Sequence, residues 1–298
     1  MIMECKTPGG DCETCGEKAC PSREDTNDLL RRRLARIKNT LVVLSGKGGV
    51  GKSTVAVNLA VSLAMEGKKV GLLDVDIHGP SVPVMLGVVR ERVTCGPEGL
   101  IPIETAGVKV MSIAFVLDDP DAAVIWRGPM KMGVIEQFLK DVNWGELDYL
   151  IVDCPPGTGD EPLSVVQLLQ KPTGAVVVTT PQEVAAADVR KSIDFCRKLN
   201  LPVLGVVENM SGFACPDCGN VTAIFGTGGG ERLATDNGVP FLGGIPIDPA
   251  VTAAGDAGQS FVHRFAKSAS AKAFAAIAEP FLKLTARTAC SACAAIDK

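Results

Sequence analysis

Short, unbroken apolar runs recur along the chain, separated by stretches of helical period. TLVVLSG at 40–46, KVGLLDVD at 69–76, DYLIVDCPP at 148–156, GAVVVTT at 174–180, PVLGVVEN at 202–209 and PFLGGIP at 240–246 all have strand length. Runs that are apolar at nearly every position, instead of every second one, belong to strands covered on both faces. Helical stretches fill the intervals at 27–38, 53–66, 128–142, 160–170, 184–199 and 229–237, and an Ala-rich one spans 267–286 with Pro280 as a candidate kink. In the first of these, Leu29, Leu30, Leu34 and Ile37 share a face and Asn27 can cap the start. Strand and helix in alternation predict an α/β fold, a mainly parallel sheet with helices on both faces. Residues 93–117 break the rhythm and read as a β-hairpin insertion; no internal repeat is visible.

The length fits one large α/β domain or two small ones. The 298 residues are 46% hydrophobic but only 4% aromatic, so the core is packed with aliphatic side chains. A net charge of −4 argues against a general nucleic-acid binder, and the basic run RRRLARIK at 31–38 reads as a solvated helix face. No stretch approaches the roughly 20 apolar residues of a membrane span. The N-terminal MIMECKTPGGDCETCG lacks the basic and apolar regions of a signal peptide. A cytoplasmic location follows as the expectation, and there structural disulfides are rare. The 11 cysteines are nevertheless clustered, which points to metal. Cys5, Cys12, Cys15 and Cys20 lie in a tail at 1–26, Cys215 and Cys218 within the domain at 27–286, and Cys290 and Cys293 in a tail at 287–298. Cys95, Cys154 and Cys196 are single and read as packed structural residues. His78 and His263 are isolated and receive no metal role.

Immediately after the first apolar run comes GKGGVGKST at 46–54. It satisfies G-x4-G-K-[ST] with Gly46, Gly51, Lys52 and Ser53. Glycines let backbone N–H groups curl around phosphate oxygens, and the helix that follows points its positive end at the anion. Lys52 then reaches the β- and γ-phosphates and the Ser53 hydroxyl binds Mg²⁺. A strand before and a helix after favour this nucleotide reading over an accidental glycine turn.

A second lysine, Lys47, follows the first glycine. The loop therefore resembles the deviant Walker A motif, K-G-G-x-G-K-[ST], of the P-loop family that contains nitrogenase iron protein, MinD, ParA and the Mrp/Nbp-type iron–sulfur carriers. The resemblance extends over residues 38 to 285 and implies a nucleotide cradle of Gly46, Lys47, Gly48, Gly49, Gly51, Lys52, Ser53 and Thr54, with Lys47 reaching across a dimer interface to the partner's ATP. LLDVDIHGPS at 72–81 resembles switch I, which implies that Asp76 orients or activates the attacking water while Asp74 supports it near the metal. DCPPGTGDE at 153–161 resembles Walker B with switch II. Asp153 would then hold Mg²⁺ through water, and Gly157, Thr158 and Gly159 would sense the γ-phosphate. Asn209 matches the family's adenine-recognising asparagine and IPID at 245–248, with Pro246, its base-flanking loop. Catalytic roles fall on Lys47, Lys52 and Asp76.

The segments DVDIHGPS, DCPPGTGDE, TTPQEVAAADVRK and ENMSGFACPDCG together are similar to the Mrp/Nbp branch. Neither DNA contacts nor a C-terminal amphipathic membrane helix is evident. In that branch the central C-x2-C pair binds an iron–sulfur cluster at the dimer interface. Thiolates suit Fe–S and zinc alike, and four per cluster are usual. Cys215 and Cys218 from each chain of a symmetric dimer make four. The N-terminal four cysteines, spaced more tightly than in the Nbp-type subgroup, form a second candidate site for Fe–S or zinc. The expectation is a homodimeric, weakly hydrolysing ATPase that assembles 4Fe–4S-type clusters and passes them to apoproteins. An ATP-coupled electron-transfer protein, and a positioning ATPase with structural zinc, are the alternatives.

Overall fold

The structure, a computed structural model, describes residues 26–77, 79–117, 128–215 and 220–284. The chain enters through α1 (Thr26–Ala35), β1 (Ile37–Ser45), α2 (Lys52–Met65) and β2 (Val70–Asp74). A short helix α3 (Val82–Met85) leads to a separate hairpin, β3 (Thr94–Gly96) with β4 (Gly99–Ile101), and then to β5 (Ile103–Thr105) and β6 (Val108–Ser112). Next come α4 (Gly128–Lys140), β7 (Leu147–Asp153), α5 (Asp160–Leu168), β8 (Gly174–Thr179), α6 (Glu183–Lys198) and β9 (Val203–Ala214). The described chain closes with β10 (Val221–Thr222), α7 (Gly229–Asp236), β11 (Phe241–Ile247), α8 (Pro249–Asp256), α9 (Phe261–Arg264) and α10 (Ala269–Leu282).

One sheet runs β10-β9-β8-β1-β7-β2-β6-β5, with β11 added to β9. The strands from β9 to β6 pair in parallel, and only the edge strands β10 and β5 run antiparallel. The predicted architecture is therefore the observed one. Leu41, Val42, Val43 and Leu44 in β1, with Val176, Val177 and Val178 in β8, are sealed from solvent, as central strands between helical layers must be. Register matters more than burial for the site. Val43 and Asp74 both lie opposite Asp153, so β7 and β2 end level with one another and β1 runs on to Ser45.

Several boundaries differ from the periodicity. The first helix stops at Ala35, and Ile37 starts β1 opposite Leu147 instead of extending the apolar helical face. Pairing along a buried strand outweighs the helical spacing of one isoleucine. Residues 93–117 form two hairpins and not one insertion, and β6 joins the main sheet beside β2. β9 continues through Met210–Ala214, a stretch that reads as loop because of Gly212. The short helices α3, α8 and α9 are too brief to leave a period. Among the described residues no helix is long and apolar enough to cross a membrane.

α10 closes the fold against α2 and β11. Phe274 meets Phe261 of α9 edge-on at 6.3 Å, and the buried Tyr149 hydroxyl of β7 donates to the Phe281 carbonyl at 2.5 Å. That carbonyl also accepts from Leu284 N–H at 3.0 Å, so it is not orphaned if the tyrosine is lost. Tyr149→Phe should therefore cost about 1 kcal/mol, the net value of one hydrogen bond. Thermal unfolding should show a melting temperature lower by roughly 2–4 °C.

Candidate functional site

β1 delivers the chain to the glycine loop and α2 carries it away. Gly51 takes a left-handed conformation, φ 81°, just before the helix, and a Cβ there would lie 2.1 Å from Asn209 Nδ2. Only glycine satisfies both the dihedral and the close approach. Lys47, Gly48, Gly49, Lys52, Ser53 and Thr54, with Asp76 opposite, line a cavity of about 230 Å³. A second cavity of about 410 Å³, between α2, α3 and α8, shares Thr54, Ser81 and Met85 with it.

Beneath the loop sit three charges at the level ends of the strands. Lys52 is 6% exposed and Asp153 fully buried, and Lys52 Nζ lies 2.6 Å from Asp153 Oδ1. The same ammonium donates to Ser53 Oγ at 3.2 Å. Asp74, also buried, accepts at Oδ1 from the Asp76 N–H, 3.1 Å, and at Oδ2 from Ser112 Oγ, 3.3 Å. Half-buried Asp76 accepts in turn from Gly79 N–H at 3.3 Å. Burial, reinforced by the neighbouring Asp153, pushes the Asp74 carboxyl well above the usual carboxylate range. Burial raises Asp153 too, opposed chiefly by Lys52.

Asp153 Oδ2 is sealed from solvent and has no hydrogen-bond partner among the described residues. An orphaned carboxylate oxygen beside a serine hydroxyl is a hard-oxygen donor set of the kind Mg²⁺ takes, usually together with retained waters and phosphate oxygens. No group of three or more His, Cys, Asp and Glu side chains converges to hold a metal among the described residues. Asn209 is nearly buried at the back of the loop and donates from Nδ2 to the Val50 carbonyl at 2.9 Å. β11 places Ile245 opposite Asn209, so Pro246 is one residue beyond that pair.

Lys47, Lys52, Ser53, Thr54 and Asp76 thus line one cavity, and Asp153, Asp74 and Asn209 stand behind it, bonded to Lys52, Asp76 and Val50. Cys215 lies elsewhere, half-buried where β9 ends, its N–H donating to the Asn220 carbonyl at 3.0 Å. Cys218, the tail cysteines Cys5, Cys12, Cys15, Cys20, Cys290 and Cys293, and His78 lie outside the described residues. Cys154 and Cys196 are buried thiols, the latter pushed by burial up to about 12, so both remain protonated packing residues. Cys95 corrects the expectation of a packed strand cysteine: it is exposed, because β3 belongs to a two-stranded hairpin outside the main sheet. His263 is exposed at the end of α9. Two site residues escaped sequence reasoning. Ser112 gave no signal, whereas Glu208, a lone acid inside an apolar strand, could have been found.

A glycine loop between a central parallel strand and a buried helix, with a lysine and two aspartates beneath it, defines a P-loop nucleotide-binding protein. The chain belongs to the ParA family of NUBPL iron-transfer P-loop NTPases, whose model matches residues 36–282. It is similar to the iron-sulfur cluster carrier protein of Methanocaldococcus jannaschii, 54% identical over 258 residues that cover 84% of this chain and 88% of that protein. The cytosolic Fe-S cluster assembly factor NUBP2 of Rattus norvegicus is 50% identical over 254 residues, 84% of this chain and 94% of its own length. Among solved structures, the nucleotide-binding protein in complex with ADP from Archaeoglobus fulgidus matches with a TM-score of 0.72 and 45% identity, over 80% of this chain and 93% of that one.

The buried acids carry a stability consequence. A carboxyl whose folded-state pKa is raised binds its proton more tightly in the folded chain than in the unfolded one. Stability is therefore lost as pH rises from the ordinary carboxylate value through the raised one. Asp74→Asn removes that penalty and keeps an acceptor for the Asp76 N–H. The nucleotide-free variant should melt at a higher temperature than the parent at neutral pH, and the gain should shrink on acidification. Thermal melts across pH, without nucleotide, test the sign.

Proposed function

We propose that this chain is an ATP-binding and weakly ATP-hydrolysing scaffold that assembles iron–sulfur clusters and transfers them to target apoproteins in the cytoplasm. Membership of an iron-transfer NTPase family supports the reading. The observation that carries it is the path of β9, which takes Asn209 to the phosphate loop and, six residues later, delivers Cys215 at its end.

In this reading the glycine loop from Gly46 to Gly51 wraps the phosphates with its backbone N–H groups, and Lys52 leaves Asp153 to neutralise the β- and γ-phosphates. Ser53 Oγ and, through water, Asp153 would hold Mg²⁺, which would supply charge neutralisation at the leaving phosphate. Asp76 orients the attacking water, and Asp74 fixes the backbone at Asp76. Asn209 and Pro246 flank the adenine. Two chains form a homodimer in which each Lys47 reaches the other's nucleotide. The cluster, probed as 4Fe–4S, is cargo held by Cys215 and Cys218 of both chains, because two thiolates per chain need a twofold axis to make four. Cys5, Cys12, Cys15 and Cys20 form a second site. Neither a membrane nor a nucleic acid takes part.

Anaerobic reconstitution with iron and sulfide tests the assignment. Cys215→Ala/Cys218→Ala protein should lose the bridging cluster's iron and visible absorbance while keeping ATP affinity. Unchanged iron per dimer, removed only when the N-terminal cysteines are also replaced, would sink the bridging arrangement. Lys52→Ala should slow ATP hydrolysis by on the order of a hundredfold, the usual cost of removing one preorganised charge contact.

A further inference from the structure

Between the nucleotide loop and Cys215, β9 is not a straight rod. Met210 has φ 60° and Gly212 φ 75°, and the register against β11 moves from Ile245 opposite Asn209 to Ile247 opposite Phe213. Four steps on β9 are thus matched by two on β11, a bulge that re-aims the strand just before the cysteine. A backbone kinked in this way does not by itself hold Cys215 at a fixed place relative to the phosphate loop.

A second connection exists. Glu208, the neighbour of Asn209, is 1% exposed and lies opposite Thr179 of β8. Its side chain points away from the phosphate loop, because successive residues of a strand face opposite sides. There the chain returning from the cysteine loop folds into a glycine nest at the start of α7, and the nest closes on the carboxylate. Gly228 N–H donates to Oε1 at 3.1 Å and Gly230 N–H to Oε2 at 2.5 Å. Ser211 Oγ, on the outgoing arm, donates to the same Oε1 at 2.6 Å. A Cβ at position 230 would lie 2.9 Å from the Glu208 Cβ, so this approach needs glycine. The site has the form of a backbone anion nest at a helix N-terminus, filled by the protein's own carboxylate.

We propose that Glu208 is a positioning residue which ties both arms of the cysteine loop to the strand position beside Asn209, so that the state of the phosphate loop sets the exposure of Cys215. The assignment rests on the cysteine-loop and nucleotide roles above. Asn209 and Glu208 share one peptide bond. A shift of the Val50–Asn209 hydrogen bond on nucleotide binding therefore moves the clamp, and the clamp moves the outgoing arm at Ser211 and the return arm at Gly228 and Gly230 together. With the carboxylate removed, the bulge at Met210–Gly212 is left as the remaining link between the two sites along this strand.

The test is peptide-resolved alkylation of Cys215 by iodoacetamide in the full-length, cluster-free protein, with and without Mg·ATP. The parent protein should show a nucleotide-dependent rate. Glu208→Gln should raise the nucleotide-free rate by roughly tenfold, the equilibrium factor for losing one charge-assisted hydrogen bond, and should abolish the ATP dependence at Mg·ATP concentrations that saturate the variant. A parent rate indifferent to ATP, or a Glu208→Gln protein with the parent's rate and response, overturns the proposal. Ser211→Ala removes one donor and leaves the carboxylate, so it should shift the rate the same way by less. If Glu208→Gln fails to fold, an unchanged rate in folded Ser211→Ala overturns the proposal on its own. Because the readout is thiol exposure without iron or sulfide, it stays interpretable if reconstitution shows that no cluster binds.

Discussion

The buried ion pair between Lys52 and Asp153 is the constraint on which the rest of the site depends. A carboxylate and an ammonium are held 2.6 Å apart with exposures of 0% and 6%, and a second carboxylate, Asp74, is buried beside them. One cation faces two acids in a medium that penalises every charge. The arrangement persists because the sheet leaves no alternative. Parallel pairing of β2, β7 and β1 in one register puts Asp74 and Asp153 side by side at the strand ends, level with Val43 and just short of the glycine loop. Additional donors, Ser112 and the Asp76 N–H, offset part of the cost at Asp74. Among the described residues the site is thus held short of positive charge, with one carboxylate oxygen unpartnered. A polyanionic phosphate chain would not enter such a place unaided; a phosphate chain that brings its own divalent cation would. The electrostatics of the site and the chemistry of a metal–nucleotide complex are complementary in this sense.

How much of this was legible in the sequence follows from which interactions are local. The glycine loop, its lysine and its serine are a contiguous signal, and all of them but Gly46 line the cavity. Asp74 and Asp153 were legible because each ends an apolar run, and a strand-terminal acid is visible wherever a parallel strand stops. What was not legible depends on partners distant in sequence. Ile37 fits a helical face until Leu147 offers it a place in β1. β6 reads as half of a hairpin until β2, some forty positions earlier, claims its other edge. Gly212 reads as a strand breaker because nothing nearby in sequence says that β10 and β11 both pair with the segment around it. Cys95 looks like a packed strand cysteine because a strand in a two-stranded hairpin and a strand in a central sheet have the same local pattern.

Glu208 shows the same limit from the functional side. As an acid one position before Asn209 in an apolar strand it was visible but without meaning, since its partners at 228 and 230 lie beyond the cysteine loop. The glycines at 228–230 were equally opaque. A glycine-rich stretch before a helix suggests an anion site, and the structure fills it from within. The two glycine nests of this chain thus serve opposite purposes. The one at 46–51 borders the nucleotide cavity; the one at 228–230 is closed on a side chain and locks a loop.

Adjacent residues of one strand facing opposite sides of a sheet give a direct route for coupling, because neither can shift its backbone without moving the other. Asn209 holds the phosphate loop through Val50, and Glu208 holds the return arm of the cysteine loop. Any coupling built this way is reciprocal, since the free energy linking two bound states has no direction. If nucleotide alters how firmly the cysteine loop is held, then occupation of the cysteines must alter nucleotide affinity by the same factor. A scaffold of this kind does not use ATP merely to drive release. Its cargo also sets how tightly it binds ATP, so an empty and a loaded scaffold would differ in nucleotide state at the same ATP concentration, and the difference is confined to the few hydrogen bonds that join β9 to its two loops.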